Sequence, residues 1–125
     1  MSLMFRWVSL LFQIYYEDKL IGHSQLEKGD PPMGVAHGEF LPNKAFDEVK
    51  KHFDHIEKDI WRLENLTLKT NNRISADRDF DVGILAYESL EDPFFLEVSA
   101  FAKVSEAYEA LFLHHIKAYE EHYKD

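Results

Sequence analysis

The sequence predicts an α+β fold: a mostly antiparallel sheet of six to seven strands with two helices packed on one face, in the order βββα-ββββ-α. Three observations predict it. Several short runs alternate apolar and polar residues with period two. The breaks between those runs are short, as hairpins require and parallel crossovers do not permit. Two longer runs repeat their apolar residues with the helical period instead. At 125 residues the chain has the length of one domain, taken to span 4–125. Met1, Ser2 and Leu3 ahead of Met4 read as a cloning remnant.

The first strand covers residues 4–17. Val8, Leu10, Phe12, Ile14 and Tyr16 share the face expected to be core, while Trp7, Leu11 and Tyr15 make the other face partly apolar. Glu17, Asp18 and Lys19 form a tight polar connection, and residues 20–27 return as the second strand. Chain breakers then concentrate. Residues 22–43 hold four of the five glycines and three of the four prolines. Within that stretch, residues 28–33 read as a loop, because Pro31 and Pro32 cannot donate to a ladder and Asp30 before a proline is pushed out of the helical region. Residues 35–40 read as a third strand. Gly34, Ala36 and Gly38 leave it a bare face, the signature of close approach by another element.

Asn43 after Pro42 is the N-cap of a helix expected over 43–58, whose stripe is Ala45, Phe46, Val49, Phe53, Ile56 and Ile60. Residues 61–70 follow as a strand. Asn71-Asn72 supplies the turn, and residues 73–76 return. Residues 82–88 and 94–101 are two further strands. The second is apolar on both faces, as in an inner strand. Ser105 caps the last helix, with the stripe Val104, Tyr108, Leu111, Phe112, His115, Tyr119, His122 and Tyr123; Leu113 lies off it, among Glu109, Lys117 and Glu120.

With 14 basic against 23 acidic residues the chain carries a net charge of −9. No basic cluster of the kind that displaces counterions from nucleic acid is present, and an anionic membrane surface is disfavoured for the same reason. The sign suits a basic protein partner, or simply a soluble cytosolic protein of bacterial type. Cysteine is absent, which excludes a disulfide framework and a thiol nucleophile and suits a reducing cytoplasm. No catalytic or nucleotide-binding fingerprint occurs, so an enzyme is the less favoured reading and no cofactor is expected.

The best candidate constellation flanks the 28–34 loop. If the strands on either side pair about Pro31, His23 falls opposite Glu39 and Gln25 opposite His37, gathering His23, Glu27, His37 and Glu39 beside Asp30. Imidazoles tuned by carboxylates bind ligands and do acid–base work, but without a local ligand motif no metal is assigned. The acidic run Asp77, Asp79, Asp81 has part of a calcium-loop spacing, yet Val82 stands where the sharp turn needs glycine, so it reads as a solvated connection. His52 and His55 read as surface pairs with Glu48 and Asp59. Aromatic surplus at the first strand and the last helix makes Trp7, Tyr15, Leu113, His115 and Tyr119 interface candidates. The expectation is a small acidic binding protein, homodimeric or docking onto a protein partner, with a small enzyme or a ligand or metal binder at the His/Glu patch beside the 28–34 loop as the alternative.

Overall fold

The computed structural model describes residues 11–69, 79–90 and 95–123. β1 (Phe12–Tyr16) and β2 (Lys19–Ser24) form a hairpin in which Glu17 takes a φ of 55°. β3 (Lys28–Asp30) passes through a 3₁₀ turn, Pro31–Met33, into β4 (Val35–Glu39) and β5 (Leu41–Pro42). The short helix α1 (Phe46–Val49) leads through a second 3₁₀ turn, Lys50–His52, to β6 (Asp54–Glu57). β7 (Ile60–Lys69), β8 (Phe80–Tyr87), β9 (Phe95–Ala102) and α2 (Ser105–His122) follow.

The architecture is α+β, but the strand count, the order and the helix placement differ from the expectation. Among the described residues nine strands form one antiparallel sheet, ordered β3-β4-β9-β8-β7-β1-β2-β5, with β6 alongside β7. β4 pairs with β9, whereas β5, only one residue further on, pairs with β2. Between them the N–H of Phe40 donates to the carbonyl of Leu96 at 2.9 Å. One run of chain thus bridges the two ends of the sheet order and curls it around a common core. Register shifts within β1 and β7, the latter at Asn65 with a φ of 63°, add the local twist that such curling needs.

The two helices therefore do not lie on one face. They stop opposite ends of the curled sheet. At one end Phe112 of α2 is fully buried, with ring centroids 5.4 Å from Phe12 and 5.7 Å from Phe80. At the other end Phe46 meets Phe40 at 5.3 Å and Phe53 at 5.8 Å. The helix expected over 43–58 is cut to α1 because Phe46, Val49 and Phe53 already fill that end, and Phe53 turns extended. The chain then makes a hairpin through Lys58 and Asp59, with His55 stacked on Trp61 at 4.6 Å and its Nε2 3.0 Å from the Lys58 carbonyl oxygen. Val104, not Ser105, holds the cap position of α2. The start of the first expected strand, the Asn71-Asn72 turn, the 73–76 strand and most of the connection to β9 lie outside the described residues.

The bare face of β4 points inward. Gly29, Ala36, Ala100 and Val82 are successive neighbours across β3, β4, β9 and β8, and α2 lies close above the row. A Cβ built on Gly29 would stand 2.5 Å from the ring of His115. Gly29→Ala is therefore expected to destabilise the fold by about 1–3 kcal/mol, by overpacking. Phe112→Ala is expected to cost about 3–5 kcal/mol, by leaving a cavity. Urea unfolding followed by circular dichroism measures both.

Candidate functional site

The residues singled out around the 28–34 loop are distributed by a break in the hairpin. β3 and β4 pair Lys28 with His37 and Asp30 with Val35, while β2 and β5 pair His23 with Leu41. The expected register, His23 opposite Glu39 and Gln25 opposite His37, is thus corrected. Residues 25–27 arch out between the two ladders. Ser24 Oγ accepts the Leu26 N–H at 3.0 Å, and Leu26 takes a φ of 45° to bury its side chain completely. The Glu27 carboxylate replaces the missing ladder bond. It accepts the N–H of Glu39 at 3.0 Å and lies against Gly38, whose added Cβ would meet it at 2.2 Å. Glu27 therefore has a backbone-closing role.

His37 and Glu39 do share the outer face of β4, beside Ser99 and Glu97 of β9. His37 Nδ1 lies 3.2 Å from Glu97 Oε2, and the hydroxyl of Tyr87 donates to Glu97 Oε1 at 3.3 Å. An ionised carboxylate only accepts, so Nδ1 is the donor in this contact. Burial first, and then the Glu97 charge, push the Tyr87 hydroxyl up from its ordinary value. Glu97 and Tyr87 are not singled out by the sequence, although a glutamate inside a largely apolar strand is the available signal. His23 stands apart, opposite Gln13 and Leu41. Among the described residues no group of three or more metal-ligating side chains is found.

A groove of about 510 Å³ opens on the other side of the same stretch, between the Pro31–Met33 turn and α2. Its walls are fixed by backbone bonds. Gly34, at a φ of 67°, closes the turn by donating to the Pro31 carbonyl at 2.9 Å, and its own carbonyl accepts the Ala102 N–H at 2.8 Å. Opposite, the Tyr108 hydroxyl donates to the Val35 carbonyl at 2.8 Å, and His115 Nε2 donates to the Leu26 carbonyl at 2.7 Å. Pro31, Met33, Val104, Ile116 and Tyr119 form the apolar lining, with Lys103, Glu109 and Glu120 on the rim. Met33 is 70% exposed, Val104 50% and Tyr119 38%. Three of the exposed apolar side chains thus share one concavity.

A broader depression of about 1020 Å³ lies over Gly83 on the outer sheet face. Its charges are largely paired within the chain, Arg62 with Glu64 at 2.9 Å and Lys103 with Asp81 at 3.7 Å. Of the interface candidates, Tyr119 lines the groove and Leu113 is exposed on α2, whereas His115 is buried in the chain's own core. Tyr15 is half-buried beneath the Lys69 ammonium, 4.5 Å from its ring centre. Trp7 lies outside the described residues. Burial, and secondarily the charge of His115, lower the pKa of His114. Comparison with protein families, curated proteins and solved structures returns no match to this chain.

Tyr108 provides a readout of the groove wall. Burial, and then the Asp30 carboxylate, raise its hydroxyl to about 12. A phenol whose folded pKa is raised favours the folded state while it is protonated. That contribution is complete below the unfolded tyrosine value of about 10 and falls away between there and about 12. Denaturation at stepped pH should show a decline over this window that Tyr108→Phe flattens. The same variant should be less stable at neutral pH by about 1 kcal/mol, for the lost bond to Val35.

Proposed function

We propose that the chain is a small acidic binding protein that engages a protein partner through the groove between the Pro31–Met33 turn and α2. The single observation behind this reading is the concentration of Met33, Val104 and Tyr119, all exposed and all apolar, in a concavity whose walls are pinned by backbone hydrogen bonds. A preformed apolar recess with a charged rim is what protein docking uses, since little ordering is lost on association. The net charge of −9 and the lack of cysteine favour work in the cytoplasm, away from nucleic acid and membranes. No helix among the described residues is long and apolar enough to cross a membrane.

Replacing Met33 by photoreactive benzoylphenylalanine in host cells tests the reading, with Lys51 replaced as the exposed control. A discrete cross-linked species is expected from position 33 and none from position 51. Uncross-linked chain alone at both positions would overturn it.

One observation favours a second reading, ligand binding by the outer-face histidine: Glu97 holds His37 at Nδ1 and leaves Nε2 available. Nuclear magnetic resonance titration with zinc should then shift His37 selectively, and His37→Asn should abolish the shift. Uniform or absent shifts sink that reading.

A further inference from the structure

We infer that the second half of α2, residues 113–122, is a proton-released arm. It is seated on β3 while His114 is neutral and swings off about Phe112 when His114 is protonated. Three features of the fold meet there. Phe112 is the hinge, leaving helical geometry inside the helix at a φ of −124° and a ψ of 34°. His115 is the latch: it is buried over Gly29 and donates Nε2–H to the Leu26 carbonyl at 2.7 Å. His114 is the sensor. It is half-buried, with its ring centre 4.1 Å from that of His115 and 6.2 Å from that of Phe112.

The arm is lightly held, so one unfavourable charge bears on whether it stays seated. Beyond His115, Ile116 is half-buried and residues 117–123 are exposed. Seating takes His114 partly out of water, and that burial, with the charge of His115 second, lowers its pKa from the ordinary 6.5. A base whose seated value is depressed costs the seated arm nothing above about 6.5, and increasingly as pH falls from there through the seated value. Once released, His114 is back in water and the penalty is gone.

The charges around α2 leave this penalty in place. Before and along β3 stand Glu27, Lys28 and Asp30. The Glu27 carboxylate is engaged by the N–H of Glu39, Lys28 stands opposite His37, and the Asp30 carboxylate bears on the Tyr108 hydroxyl. The Pro31–Met33 turn is uncharged, as are the residues that β4 and β9 turn inward, Ala36, Gly38, Val98 and Ala100. β1 and β8 meet α2 through Phe12 and Phe80. Lys103, Glu109 and Glu120 line the groove, His122 packs on Tyr123, and Lys117, one turn after His114, adds a like charge. The inference stands apart from the binding reading above. Ile116 and Tyr119 belong to the arm, however, so its release also removes one wall of the groove.

Amide hydrogen exchange of the full chain at pH 7.5 and pH 5, corrected for the intrinsic pH dependence of exchange, tests this. Residues 113–122 are expected to lose protection at pH 5 by about threefold or more, while β7, β8 and β9 keep theirs. His114→Gln should leave the arm equally protected at both pH values, and His122→Gln, at the exposed histidine of the same arm, should respond as wild type does. The absence of cysteine allows a second measurement that needs no change at the histidines. Spin labels on Lys58→Cys and Glu121→Cys should give one distance at pH 7.5 and an added, broader population at pH 5. Equal protection of the wild-type arm at the two pH values, with an unchanged spin-label distance, overturns the inference. So does a loss shared evenly by the strands, or a pH response that survives His114→Gln or disappears in His122→Gln.

Discussion

The close seat of α2 on the inner face of β3, β4 and β9 is the constraint on which the rest depends. A helix approaches a sheet to ring-contact distance only where the sheet offers no side chains to meet it. Gly29, Ala36 and Ala100 provide that strip, and His115 fills the space over Gly29. Phe112 is thereby lowered between Phe12 and Phe80, at the one point where α2 departs from helical geometry, with a φ of −124°. The kink lets the two halves of α2 do different things. The first half and the turn around Phe112 and His115 close the core, while the residues beyond Ile116 are exposed.

Two carbonyls hold the helix in place, one from the irregular 25–27 segment and one from the start of β4. Leu26 presents its carbonyl to His115 because residues 25–27 arch out of the ladder, and Val35 presents its own to Tyr108 just after the Pro31–Met33 turn. A hairpin laddered through residues 25–27 would not leave the Leu26 oxygen available. The break in pairing therefore has a structural function. It is stabilised by Leu26, which is driven into the core despite a left-handed φ, and by Glu27, which stands in for the absent backbone acceptor at Glu39.

These facts explain how much the sequence reveals. The inward residues Phe12, Ile14, Val82, Ile84, Val98 and Ala100 follow simple alternation, so the strands that carry them are readable. The α2 segment is readable because its stripe persists for several turns. The 43–58 segment misleads because Phe46, Val49 and Phe53 satisfy a helical stripe and equally fill one end of the curled sheet; only the Lys58-Asp59 turn, which lacks glycine and asparagine, separates the two outcomes. At the candidate site, the loop at Pro31 and the bare face of the next strand are legible as breakers. The register is not, because it depends on where Leu26 can reach the core. His37 was singled out, but its partner Glu97 lies 60 residues further on, and no local spacing announces such a pair.

Positions that shape the groove divide by whether they also hold the core. Tyr108, Gly34 and Ala102 form its walls and equally fasten α2 and the turn, so any change there perturbs the fold and the groove together. Met33 and Val104 are exposed, and a polar group at either needs no buried partner. Met33 also differs from the rest in kind: its side chain is unbranched and polarisable, while the prolines before it keep its backbone fixed. A rigid recess beside one adaptable apolar side chain would limit the ordering that any association there had to impose.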